Sequence, residues 1–325
     1  MRKILTLCAA AMIAISTMAA EGALNGKFSV SATKQVVFSQ GNLQYQASTD
    51  TWRFAENQWD TIGAVGNAQI AADYAGWIDL FGWGTGNNPT EVSETDTDYS
   101  AFTDWGSNKI SNGGNVEDTW FTMSTDEWVY LFVKRTNANT LFALGTVNSV
   151  NGVIILPDNW TLPAGASFTP TSTTEGMEYI PSWDGMDYYY DSYLNNHFSD
   201  NAYTAYEWEV MQANGAVFLP AAGHRDGTYI SGGFMADGAY YWSATPTEGS
   251  DDDAGQFTFS YRGLTPIIAY GRHNGLCVRL VQTYSGATAI NNTAVDAKAV
   301  KRVVNGQLLI EREGKTFNAQ GIEVK

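Results

Sequence analysis

Cysteine, histidine and positive charge are all scarce in this chain of 325 residues, which holds 2 Cys, 3 His and 18 Lys plus Arg against 34 Asp plus Glu. The net charge of -16 repels a phosphate backbone and excludes nucleic acid as a partner. His197, His224 and His273 show neither the i, i+4 nor the H-x-H spacing that brings metal ligands together from one element, so each is expected in a loop or on the surface. No G-x-S-x-G nucleophile elbow occurs, and so few histidines leave no obvious base. Charged residues are only 16% of the chain, while 32 Gly, 11 Trp and 17 Tyr suit short strands, many turns and aromatic packing, which excludes an all-helical protein. With 44% apolar residues, a sizeable core can form.

The one long apolar run is at the start. Arg2 and Lys3 precede apolar residues 4–15, and small residues 16–20 follow, the three-part pattern of a secretory signal peptide covering residues 1–20. The run is too short for a membrane-spanning helix, which needs about 20 apolar residues, so export to the outside or to the cell surface is expected, with no transmembrane segment. Removal of the leader takes Cys8 with it and leaves Cys277 alone, so no intrachain disulfide can form. Flanked by Leu276 and Val278, Cys277 reads as a buried small hydrophobe.

Residues 21–284 have one texture, short aromatic or β-branched runs broken by Gly, Asn and Asp, as in strands joined by turns. Lys34-Gln35-Val36-Val37-Phe38-Ser39 and Asn42-Leu43-Gln44-Tyr45-Gln46 are expected to form a hairpin around Gln40-Gly41. Ser124-Thr125-Asp126-Glu127 and Thr204-Ala205-Tyr206-Glu207 are capping boxes, predicting a helix of about three turns that buries Trp128, Leu131 and Phe132, and a second that buries Trp208 and Met211 and closes at Asn214-Gly215. Both are followed by nearly the same string, Asn151-Gly152-Val153-Ile154-Ile155-Leu156-Pro157 and Asn214-Gly215-Ala216-Val217-Phe218-Leu219-Pro220, read as a turn feeding a buried strand. An α+β domain with a mainly antiparallel sheet and two short helices follows. Residues 285–302 read as a linker, and residues 303–325 as a small β-module of two or three strands.

Candidate chemistry is sparse. Gly82-Trp83-Gly84-Thr85-Gly86 lacks the Lys and the following helix of a phosphate loop and reads as an aromatic-glycine turn. Asp184 with Asp187 or Asp191, beside Tyr188-Tyr189-Tyr190, could supply a glycosidase pair or be a solvated acidic loop. Asp251-Asp252-Asp253 lacks the alternating register of an EF-hand loop and reads as a solvated turn, with calcium the alternative and no other cofactor expected. Tyr261, Arg262, Tyr270, Arg272 and His273 fall in connections between strands, where flat aromatics and guanidinium forks suit sugar rings or acidic protein surfaces. With Tyr188 and Tyr189 they are the candidate binding residues; Trp242 is expected in the core, and no catalytic residue is assigned.

Thr125-Asp126-Glu127-Trp128, Phe218-Leu219-Pro220-Ala221-Ala222-Gly223, Tyr241-Trp242-Ser243-Ala244, Gly41-Asn42-Leu43-Gln44-Tyr45, Phe81-Gly82-Trp83-Gly84 and residues 275–281 resemble the formylglycine-generating-enzyme branch of the C-type-lectin fold, as found in secreted paralogous-domain proteins of Bacteroides, Prevotella and Fibrobacter. The resemblance covers most of residues 25–282 and implies a C-type-lectin-like domain. The enzymes of that branch use a pair of active-site cysteines, whereas Cys277 stands alone, so a non-catalytic, adhesin-like binding protein with a glycan or protein ligand is expected. Asn305-Gly306-Gln307-Leu308 and the residues from Gly314 to Gly321 are similar to short C-terminal sorting tails of secreted Bacteroidetes proteins. The alternatives are an enzyme, either a glycan hydrolase or a relative of the formylglycine-generating oxidases, and a structural surface or fimbria-associated component.

Overall fold

The two similar strings lie side by side. In the computed structural model, Val150–Ile155 and Val217–Pro220 pair antiparallel, with Val217 opposite Ile155 and Pro220 opposite Gly152. Phe142–Val147 pairs on the other side of Val150–Ile155, and the short strand Ala202–Tyr203 joins it in parallel. Asn151-Gly152, expected as a turn, lies inside the strand, and the reversal falls at Asn148 and Ser149, with φ of 48° and 68°. Packing explains the glycine, because a Cβ on Gly152 would strike the ring of Phe218 on the neighbouring strand. The structure describes residues 21–171, 178–181, 187–190, 197–231, 238–261, 263–284, 300–304, 307–312, 315–318 and 323–324. The leader, residues 1–20, lies outside them, as does most of the expected linker.

The described chain is mixed α+β, mostly strands in small, mainly antiparallel sheets, with short helices α1 (Gly63–Asn67), α2 (Thr125–Val129) and α3 (Ala205–Ala213). Both expected capping boxes form: Ser124 Oγ accepts from the Glu127 amide while Glu127 accepts from the Ser124 amide, and Thr204 and Glu207 do the same. Beyond Val129 the helix widens to π spacing over Tyr130–Lys134. Its inner face buries Trp128, Leu131 and Phe132, and the rings of Trp128, Phe132 and Phe257 stack with centroids 4.7–6.1 Å apart and planes within 18°. α3 buries Trp208 and Met211 and closes at Asn214, with Gly215 at φ 96°. Among the described residues no helix is long and apolar enough to cross a membrane.

The expected hairpin around Gln40-Gly41 does not form. Gln35–Phe38 is the middle strand between Phe28–Ser29 and Val281–Thr283, while Leu43–Gln46 pairs with Thr51–Phe54. The segment between them crosses from one sheet to the other through the interior: Ser39 and Asn42 are fully buried, and Gly41 passes so close to the Ala55 backbone that a Cβ would meet its oxygen at 2.5 Å. The remaining large sheet is an antiparallel meander of Ala239–Pro246, Asp253–Ser260 and Gly263–Gly271.

Polar groups inside this core are paired chiefly with amides and carbonyls. Arg279, 1% exposed, donates to Asn42 Oδ1 at 3.3 Å and Gln58 Oε1 at 3.0 Å, and desolvation lowers its pKa to about 10. Asn42 donates to the Tyr241 hydroxyl, which donates to the Pro220 carbonyl. Burial raises Asp79 to about 6 although Ile62 N, at 2.9 Å, and Asn67 Nδ2, at 2.7 Å, both donate to it. Cys277 is fully buried, and desolvation pushes its thiol well above the ordinary range. Trp242 is buried too, its indole donating to the Phe81 carbonyl.

The chain divides into two units, Met1–Tyr284 and Ser285–Lys325. The second holds Val300–Val304, Gln307–Arg312, Lys315–Asn318 and Glu323–Val324 as a four-stranded antiparallel meander. Its first strand begins ahead of residue 303, inside the stretch read as linker, because Val300 and Lys301 find partners in Glu311 and Ile310.

Candidate functional site

The hairpin of His224–Asp226 and Tyr229–Ser231 is built on glycine. Gly223, at φ 71°, runs so close to Ser231 that a Cβ would strike its carbonyl, and Gly227, at φ 54°, makes the tip. Arg225 fixes the hairpin from below. Fully buried, it bridges Gly275 through both main-chain groups and donates to the Gly227 carbonyl at 2.9 Å and the Glu91 carbonyl at 3.3 Å. Burial lowers its pKa, and the nearby Tyr99, Asp226 and Glu91 oppose that shift. Segment 91–99 is thereby tied beneath the hairpin, with the Tyr99 hydroxyl donating to the Ser93 carbonyl.

On this frame three rings from distant parts of the chain meet. Tyr240 and Tyr270 stack at 5.5 Å with planes 16° apart, and His224 stands edge-on to both at 5.1 and 5.9 Å. All three are half-buried. Desolvation lowers the His224 pKa, with Asp226 opposing, and raises the Tyr270 hydroxyl to about 12, with Tyr240 and Asp226 adding to the rise. Tyr229, 70% exposed, lies opposite Asp226 on the hairpin.

His273 joins two carboxylates. Asp96 Oδ1 accepts from its main-chain amide at 2.9 Å and lies 2.6 Å from Nδ1, while Nε2 lies 3.5 Å from Asp226 Oδ1 and 3.3 Å from Asn274 Nδ2. A neutral ring carrying its proton on Nδ1 donates to Asp96 and accepts from Asn274; a protonated ring bridges the two aspartates. The patch therefore places stacked, half-buried aromatic rings near carboxylate acceptors, side chains of the kind that recognise a sugar ring or a protein side chain.

The other candidates fall elsewhere. Arg272 is 5% exposed, its guanidinium 4.6 Å over the Trp83 ring and donating to the carbonyls of Asp253 and Ser250, so its fork is spent inside the fold. That clamp holds the acidic turn, in which Asp251 and Asp252 are exposed and Asp253 accepts from Ser250. Trp83 is buried, so residues 82–86 form an aromatic-glycine turn with Gly84 at φ 68°. Tyr261 is exposed at one end of Gly263–Gly271 and Tyr270 sits near the other, on the order of 25 Å away at ~3.3 Å per residue. One small ligand cannot touch both. Tyr188 and Tyr189 belong to the strand Asp187–Tyr190, whose backbone lies against Gly263–Gly271. Arg262, Asp184 and Asp191 lie outside the described residues.

Sequence reasoning placed Tyr270 and His273 in a binding region but missed Asp96, Asp226 and Tyr240 and set His224 aside as a loop residue. The available signal was Gly223-His224-Arg225-Asp226-Gly227, a His-x-Asp alternation closed by glycine on both sides. Comparison with models of protein families, with curated proteins and with solved structures finds no match to this chain.

Proposed function

We propose that the chain is an exported or surface-attached, non-catalytic binding protein of the adhesin type, whose main unit is a C-type-lectin-like scaffold that recognises a glycan or protein ligand. The observation that carries this reading is the stacked Tyr240–Tyr270 pair beside Asp226, His273 and Asp96. Two capped helices among small antiparallel sheets support the scaffold. The burial of Cys277 favours binding over oxidase chemistry, since a thiol with a raised pKa inside the core is a poor nucleophile. Hydrolysis is disfavoured at this patch because the imidazole of His273 fills the space between Asp96 and Asp226, where a glycosidase pair would need room for the sugar.

The test is binding of the purified full chain to a glycan array and to surface-protein extracts. Tyr270→Ala and His273→Ala chains that keep the fold are expected to lose about tenfold or more in affinity. Unchanged binding by both would move the site off this face, and turnover of a bound glycan would replace the binding reading with an enzymatic one.

A further inference from the structure

Arg53 is held still and left unused. It lies on the strand Thr51–Phe54, opposite Gln44. Its Nε donates to Gln44 Oε1 at 2.9 Å, and its guanidinium carbon sits 3.8 Å over the Trp77 ring. These contacts fix the plane of the guanidinium, and its two terminal nitrogens have no partner among the described residues. The contrast with the buried arginines is sharp: Arg135, Arg225, Arg272 and Arg279 each donate terminal nitrogens to the fold.

Arg53 lines an open cleft of about 480 Å³ together with Glu56, Trp59, Asp60 and Asn148. The segment that carries Trp59 and Asp60 is anchored on both sides. Gln58, fully buried, accepts from Phe218 N at 2.7 Å and donates to the Ala216 carbonyl at 3.2 Å, and Ile62 N donates to the buried Asp79. Trp59 is half-buried and Glu56 is exposed. The cleft thus holds one donor fork, the Glu56 carboxylate, the Asp60 carboxylate held in place by accepting from Asn57 N at 2.8 Å and from Asn57 Nδ2, an exposed amide and an indole.

We propose that this cleft is a second binding site, built from residues other than those of the tyrosine face, and that it takes a neutral pyranose unit of an oligosaccharide. Vicinal hydroxyls can accept from the Arg53 fork and donate to Glu56 and Asp60, while the C–H face of the ring rests on Trp59. Charge selects against acidic ligands. One guanidinium faces two carboxylates on a chain of net charge -16, so an acidic peptide or a polyuronate is repelled, whereas an uncharged polyol is not.

The experiment measures binding of the full chain to xylohexaose, mannohexaose and maltohexaose, with hexagalacturonate and a hexaglutamate peptide as acidic probes. Binding of at least one neutral oligomer is expected, weakened about tenfold or more by Arg53→Ala and by Arg53→Lys, which keeps the charge but loses the fork. Where Arg53→Ala fails to fold, the wild-type chain serves: bound oligomer should protect Arg53 from phenylglyoxal, as read by peptide mass spectrometry. Binding of the acidic probes alone, binding indifferent to Arg53, or absence of protection would overturn the proposal. Loss of neutral-sugar binding in Tyr270→Ala but not in Arg53→Ala would remove this cleft and leave the tyrosine face standing.

Discussion

Two aromatic stacks in the main unit share a geometry and differ in everything else. Trp128, Phe132 and Phe257 lie nearly parallel, all are buried, and the Trp128 indole nitrogen is buried with no partner among the described residues. Tyr240 and Tyr270 lie as nearly parallel, but they are half-buried, with His224 edge-on to both and Asp226, which His273 links to Asp96, acting on Tyr270. Ring stacking alone does not separate cohesion from recognition. What separates them is whether water and titratable groups reach the rings.

The contrast breaks most readily at the dry stack. Trp128→Ala is expected to cost about 3–5 kcal/mol of unfolding free energy, measured by urea denaturation, because the enclosed site cannot collapse around the loss. A cost below about 1 kcal/mol would mean that the stack is not what holds α2 to the sheet.

The buried carboxylate gives the next largest effect. Asp79 titrates at about 6 in the fold against an ordinary 3.8. The stability its protonated form contributes is complete below the ordinary value and is lost as pH rises through about 6, a fall on the order of 2–3 kcal/mol. His224 runs the other way, since its lowered pKa contributes stability above its ordinary value that is lost on acidification. Denaturation of the wild type and of Asp79→Asn from about pH 4 to pH 7 should show a falling component that disappears in the variant; identical profiles would refute the assignment.

The cap sharpens the comparison at smaller scale. Ser124→Ala removes the acceptor for the Glu127 amide at the start of α2, and a loss of about 1 kcal/mol is expected by the same denaturation assay. Smallest of all, Tyr270→Ala should cost under about 1 kcal/mol in stability because the ring is half-exposed, while ligand binding collapses. A large destabilisation there would make the wet stack a second piece of core.

Local chemistry explains which of these features the sequence made visible. Both capped helices were legible because a capping box and an apolar i, i+3, i+4 face lie within ten residues. The paired strands showed in the repeated string, although Gly152 looked like a turn because nothing local reveals the Phe218 ring above it. The misplaced hairpin has the same origin: Gln35–Phe38 pairs with Val281–Thr283, a partner no short window contains. At the site, Tyr270 and His273 stood out as polar aromatics expected between strands, although Tyr270 lies within Gly263–Gly271, paired with Ala254. Asp96 did not, since it reaches His273 across 177 positions. Arg272 was taken for a presented donor because sequence shows a guanidinium but not the carbonyls of Ser250 and Asp253 that consume it.

The pairing of Gln35–Phe38 with both Phe28–Ser29 and Val281–Thr283 sets the timing of biogenesis. While the polypeptide is still being synthesised, that sheet stands open on one flank until residue 283 has emerged from the ribosome. Almost the whole unit must therefore be made before its opening segment can be sealed.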